Sequence, residues 1–221
     1  MSNKLMMKLM IIEIENQFYP NWILPTSTFH SETVSQVVKD AYEQQLTPDQ
    51  IFVDKLMVLS KIEETLDNWK NKRNSNVEER FPILKEGMTA YLKEKYYLSI
   101  SALIPQIEGL LKDAAKEVGL KGVICWKKLD NECLENAVNT LMEKWKEEIW
   151  INDKLVDLLN ENFPKVIAYL YKEYDSEIDE ENQLNRHGVC HGIQTNFGIA
   201  TSSLRLILII DRIIFFMADE K

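Results

Sequence analysis

The chain has 221 residues, of which 45% are hydrophobic and 28% charged, a composition typical of a globular protein and not of a disordered one. Its formal net charge of −9 argues against a general affinity for nucleic acid or for an anionic membrane, so any phosphate contact has to come from a local patch. Only 7 Gly and 6 Pro occur, which favours helices over a turn-rich β fold.

The cysteines and the apolar stretches indicate the cellular compartment of the protein. The chain has three cysteines: Cys125, Cys133 and Cys190. Because their number is odd and no CxxC pair occurs, we expect reduced thiols instead of disulfides or a four-cysteine zinc site. The apolar N-terminal stretch is too short for a signal peptide, and residues 204–217 are too short for a bilayer span. We therefore expect a cytoplasmic protein that does not contact a membrane.

Residues 1–76 are predicted to form a helical extension. Apolar residues after Ser31 predict a first helix over 31–41. The pair Thr47-Pro48 is typical of a helix start, and one helix is predicted from there to Trp69. Its apolar face, at steps of three and four, comprises Ile51, Phe52, the stem of Lys55, Leu56, Leu59, Ile62, Leu66 and Trp69. The polar stretch 70–76 is interpreted as a loop and as a domain boundary.

Residues 77–221 are predicted to form a helical bundle. Apolar residues at helical spacing predict helices over 81–92, 100–118, 130–150, 153–170 and 201–217. Pro105 is expected to kink the second of these helices, because proline removes a backbone hydrogen bond. The whole pattern predicts an all-α fold.

Residues 185–192, with the sequence NRHGVCHG, carry the chemistry. They contain two of the three histidines and one of the five arginines of the chain. Arginine presents a fixed cationic fork that suits phosphate, and histidine exchanges a proton near neutral pH. Arg186 and His191, five positions apart on a helical turn, can both reach one phosphodiester, and the flanking glycines allow a close approach.

Structural interpretations of the same residues stay open. Arg186 can pair with the acidic stretch 175–181, His191 can serve as a helix cap or interface residue, and Asn185 can contact a phosphate or cap the local helix. His187 and His191 also have the i, i+4 spacing of metal ligands, but a closed zinc site needs two more ligands. We expect neither a metal nor a cofactor.

Glu108 is the second candidate. It lies on a predicted buried helix between Ile107 and Leu110, where a carboxylate needs a partner. It can hold Arg186 or His191 in position by a hydrogen bond, or it can pair with another arginine and matter only for folding. The other arginines considered are Arg205 and Arg212.

The sequence Arg186-His187-x3-His191 resembles the R-x4-6-H motif of the HEPN superfamily (higher eukaryotes and prokaryotes nucleotide-binding), in which a polar residue usually follows the arginine. Residues 97–111, YLSISALIPQIEGLL, are similar to the second bundle helix of a bacterial HEPN subgroup. Residues 186–192, with 203–205 and the apolar tail, are similar to the C-terminal half of that subgroup. The resemblance covers roughly residues 77–217, and we recognise no family in residues 1–76.

The resemblance implies an HEPN-like helical bundle that acts as a metal-independent endoribonuclease, as a toxin or an antiviral defence effector. In the implied reaction a ribose 2′-OH attacks the adjacent phosphate and leaves a 2′,3′-cyclic phosphate and a 5′-OH. His191 is implied to move the proton and Arg186 to stabilise the charge on the phosphorane oxygens, with His187 as an auxiliary donor. Asn185 is expected to bind substrate and Glu108 to support the site.

We expect RNA as the substrate, and an antitoxin or another regulatory protein as the partner that controls the activity. A homodimer is expected because one motif per chain gives half a site and because the last helix is very apolar. Two alternatives stay open: a non-catalytic helical module that binds a nucleotide or a protein partner, and a metal-binding regulator.

Overall fold

The computed structural model describes residues 22, 23, 26, 44–57, 59–120, 138–143, 154–175, 183–217 and 219. Every regular element in these ranges is helical, so the predicted all-α fold class is confirmed. The elements are α1 (Pro48–Gln50), a π-helical turn (Ile51–Leu56), α2 (Leu59–Lys70), α3 (Ser75–Leu92), α4 (Tyr96–Glu117), α5 (Lys154–Tyr171), α6 (Arg186–Cys190) and α7 (Ala200–Phe216). Residues 138–143 are also helical.

Four predicted helices correspond to α3, α4, α5 and α7. Helix α3 begins before the expected residue 81, because the side chain of Asn74 caps it by accepting hydrogen bonds from the amides of Asn76 and Val77. Helix α4 continues through Pro105 as one element. The helix predicted over 31–41 lies outside the described residues, and of the one predicted over 130–150 only 138–143 are described.

The prediction of one helix from Thr47 to Trp69 is wrong, because the chain bends at Met57 between two helical pieces. The amide of Met57 donates to the carbonyl of Phe52 at 2.9 Å, which closes a π turn. Two apolar pairs, 51–52 and 56–57, are spaced five residues apart, and the wider turn lets both pairs be buried. Lys55, expected on the apolar face, is exposed instead.

Helix α7 lies in the core and packs most extensively on α4, which in turn packs on α3. Where α4 and α7 meet, the hydroxyls of Ser99 and Ser203 form a hydrogen bond of 2.6 Å, and both residues are fully buried. The apolar composition of α7 is therefore explained by burial within its own chain. It gives no support to the homodimer that was expected partly from that composition.

Parts of the chain before residue 76 pack on the same core. Trp22 is buried, its ring stacks on Phe52 at 4.4 Å, and its indole N–H donates to Asp49 at 2.8 Å. The guanidinium of Arg205 from α7 lies 4.9 Å from the centre of the same ring. The boundary at residue 76 stays a prediction, and the described contacts cross it. No helix among the described residues has the length and apolar character that a membrane crossing requires.

Candidate functional site

The candidate site is built on α6, which Asn185 caps. The side-chain oxygen of Asn185 accepts from the amide of Gly188 at 2.9 Å, and its side-chain nitrogen donates to the carbonyl of Lys172 at 2.9 Å. Asn185 is fully buried, so of its two predicted roles the structure displays the cap. A contact between Asn185 and a substrate phosphate would require this cap to open.

Gln194 closes the loop that follows α6. Its side-chain oxygen accepts from the amide of Asn185 at 3.1 Å, and its nitrogen donates to the carbonyl of Gln183 at 2.6 Å. A Cβ on Gly188 would lie 2.9 Å from the Cβ of Gln194, so this close approach needs glycine. The two ends of the segment are thus held together, which fixes the direction in which α6 presents its side chains.

Arg186 forms an ion pair with Glu108 of α4. Its Nη2 donates to Glu108 Oε2 at 2.8 Å, and both side chains are partly buried. The other oxygen of Glu108 accepts from Lys112, one helical turn along α4. The prediction that Glu108 orients Arg186 therefore has the required contact, whereas Arg205, its alternative partner, pairs with Asp49 at 3.2 Å.

The guanidinium of Arg186 keeps donors for a ligand. Glu108 occupies Nη2, and among the described residues no hydrogen bond from Nη1 is formed. The group of Arg186, Lys112 and Glu108 carries two positive charges against one negative charge. A phosphate contact in a chain of net charge −9 would need local cations such as these.

Tyr171, the last residue of α5, contacts both Arg186 and His187. The guanidinium carbon of Arg186 is 5.6 Å from the centre of its ring, and His187 meets the ring edge-to-face at 6.4 Å. Tyr171 is only 3% exposed, and burial raises the pKa of its phenol well above the ordinary value of 10.0. The phenol therefore stays neutral and serves as an apolar floor under the arginine.

The two histidines lie side by side. The rings of His187 and His191 are nearly parallel, with centroids 5.9 Å apart. Burial, and then the positive charge of Arg186, lower the pKa of His187 below its ordinary 6.5, so this imidazole is neutral at neutral pH. His191 is exposed and can meet a substrate directly. Contacts thus run from Arg186 through Tyr171 and His187 to His191.

Burial raises the pKa of the Cys190 thiol, so it is a protonated thiol at neutral pH and a poor nucleophile. In the part of the chain that the structure describes, no three His, Cys, Asp or Glu side chains are grouped to hold a metal ion. Cys125 and Cys133 lie outside that part.

Sequence reasoning placed neither Lys112 nor Tyr171 in the site. Lys112 had a signal, because it follows Glu108 by four residues on a predicted helix, a spacing that pairs opposite charges. Tyr171 had none, because nothing local indicates that the end of α5 meets α6. Comparisons of the chain with known families, with curated proteins and with solved structures found no match.

Proposed function

We propose that the protein is a metal-independent endoribonuclease of the HEPN type, which cleaves RNA by attack of a ribose 2′-OH on the adjacent phosphate. The observation that carries this proposal is the contact series from Arg186 to His191 along α6, with Glu108 paired to the arginine. A cationic fork beside two imidazoles supplies both needs of the reaction, which are charge stabilisation and proton transfer. The motif resemblance of residues 186–191 agrees with it.

Arg186 and His191 have separate roles in this reaction. Arg186 donates from Nη1 to a non-bridging phosphate oxygen, where negative charge grows as the 2′-oxygen bonds to phosphorus. His191 accepts the 2′-OH proton, and a second proton must reach the leaving 5′-oxygen. The neutral imidazole of His187 keeps a proton on one ring nitrogen and lies 5.9 Å from His191, so it provides a hydrogen bond near the same phosphate.

A homodimer in the cytoplasm, controlled by a protein partner, completes the proposal. A second chain would bring a second His191, which can protonate the 5′-oxygen. The net charge of −9 disfavours indiscriminate RNA binding, so this enzyme acts on a restricted substrate. Such restriction fits a toxin or an antiviral effector that must spare most cellular RNA.

The test is cleavage of total cellular RNA by the purified protein in excess EDTA. We expect Arg186→Gln and His191→Asn to reduce the cleavage rate by at least about 100-fold, which is the usual contribution of such groups. Matched controls are Arg73→Gln, at an exposed arginine on the loop after α2, and His30→Asn, at the third histidine of the chain. Both controls should cleave like the parent, and all five proteins should have equal helicity.

Two outcomes would contradict the proposal. Equal cleavage by all five proteins would indicate a contaminating nuclease. No cleavage by the parent, with a correctly folded protein, would instead favour a non-catalytic module that binds a nucleotide or a protein partner.

A further inference from the structure

The exposed ring of Tyr97 lies on the same face of α4 as Glu108. The two residues are 11 positions apart, which is close to three helical turns and about 16 Å. Glu108 contacts Arg186 at the start of segment 186–198, and Tyr97 contacts Phe197 and Gly198 at its end. The segment therefore runs antiparallel to α4, with the arginine–histidine site at one end and Tyr97 at the other.

The ring of Tyr97 is held in place although it is 52% exposed. It meets Phe197 edge-to-face, with centroids 5.0 Å apart. It also lies directly on the backbone of Gly198, where a Cβ would come within 2.3 Å of two ring atoms. An accessible ring that its neighbours already fix offers a face for stacking, and little side-chain freedom is lost when a base binds.

Positive charge accompanies this ring. Lys93 and Lys95 are exposed just before α4, and only Glu94 lies between them. Neither lysine takes part in an ion pair within the described part of the chain. In a chain of net charge −9, these two lysines place unpaired positive charge just before the ring, which suits the phosphates of one strand.

We propose that the face of α4 from Tyr97 to Glu108 binds single-stranded RNA, with one base stacked on Tyr97 while the phosphate to be cleaved lies at Arg186. This inference rests on the proposed function and specifies its substrate. Bases in a duplex are already stacked and cannot reach the ring, so the substrate is an unpaired strand long enough to span both ends. Lys93 and Lys95 contact the phosphates next to the stacked base.

The test measures binding of 2′-O-methyl oligonucleotides, which cannot undergo the reaction, by fluorescence anisotropy. The probes form a length series from the dinucleotide to the octanucleotide. Tyr97→Ala should weaken octanucleotide binding about tenfold, the usual loss when one stacked base is released, and leave dinucleotide binding unchanged. Tyr97→Phe should bind like the parent, and Gly198→Ala, which displaces the ring, should resemble Tyr97→Ala.

Arg186→Gln separates the failure of this inference from the failure of the proposed function. It should weaken binding of every length, because all lengths reach the phosphate clamp. Loss of binding in Arg186→Gln with full octanucleotide affinity in Tyr97→Ala would overturn the inference alone. No binding by the parent would overturn both. A change of oligomeric state in Tyr97→Ala during sedimentation, without a loss of octanucleotide affinity, would assign the ring to an interface between copies and would also overturn the inference.

Discussion

At the scale of single residues, Glu108 fixes the position of the Arg186 guanidinium. A long arginine side chain loses conformational entropy when it is fixed on a ligand. Because the ion pair with Glu108 at 2.8 Å already restricts Arg186, less entropy is lost when a ligand binds. Lys112 shares the same carboxylate. The uncharged ring of Tyr171 adds a second contact to the Arg186 guanidinium.

The lowered pKa of His187 gives the first prediction. Its titration midpoint, followed by the ring C–H signals in NMR, should lie below the ordinary 6.5, since burial and then Arg186 disfavour the imidazolium. Arg186→Met should move the midpoint upward by removing a positive charge, and Arg73→Met should not. A midpoint at or above 6.5 in the parent would contradict the burial of this ring beside Arg186.

The same shift fixes the sign of a pH effect on stability. The folded pKa of His187 is lower than the unfolded value of 6.5, so the unfolded chain binds the proton more tightly. The contribution of His187 to the free energy of unfolding is therefore fully present above pH 6.5. It declines as the pH falls from 6.5 through the lower, folded pKa.

At the scale of elements, α6 depends on its surroundings. A helix of five residues is too short to persist alone, so the Asn185 cap and the Gln194 bridge hold it. The cap explains why a buried asparagine stands directly before the arginine. The element thus fixes the relative positions of Arg186, His187 and His191 with little apolar surface of its own.

Helix α7 carries the second prediction, at Asp211. This carboxylate is buried and accepts three hydrogen bonds: two from Thr26, at 3.0 and 2.7 Å, and one from the indole of Trp69 at 3.0 Å. Asp211→Ala leaves these donors without an acceptor in the core and should lower the free energy of unfolding by roughly 3 kcal/mol in urea denaturation. Asp219→Ala, at an exposed aspartate, is the matched control and should change it by less than about 0.5 kcal/mol. Equal losses in the two variants would contradict the role of Asp211 as an anchor.

The elements also show how far sequence reasoning reaches. Helices α3, α4, α5 and α7 were predictable because their apolar residues repeat every three or four positions. The π turn was not, since two apolar pairs five apart fit no regular helix and only the packed core selects the wider turn. Arg186 and His191 were found because they are local in sequence. The contact between Glu108 and Arg186 joins residues 78 positions apart and depends on the fold.

At the scale of the whole molecule, one apolar core connects α7 and α4 to Trp22 and Ile23. Helix α4 has two functions in this arrangement. Its inner face, with Ile107 fully buried, packs in the core, while its outer face carries Glu108 and Tyr97. A core helix thus sets the distance between the candidate site at Arg186 and the proposed base platform at Tyr97, which a loop would leave variable.

The central claim is that Arg186 and His191 direct a 2′-OH attack without a metal ion. The most direct measurement is the chemistry of the fragment ends after cleavage in excess EDTA, read by mass spectrometry. The proposed reaction predicts 2′,3′-cyclic phosphate and 5′-OH ends, and no cleavage where the nucleotide before the scissile phosphate is 2′-deoxy. Fragments with 5′-phosphate and 3′-OH ends, or cleavage of the 2′-deoxy substrate, would contradict it.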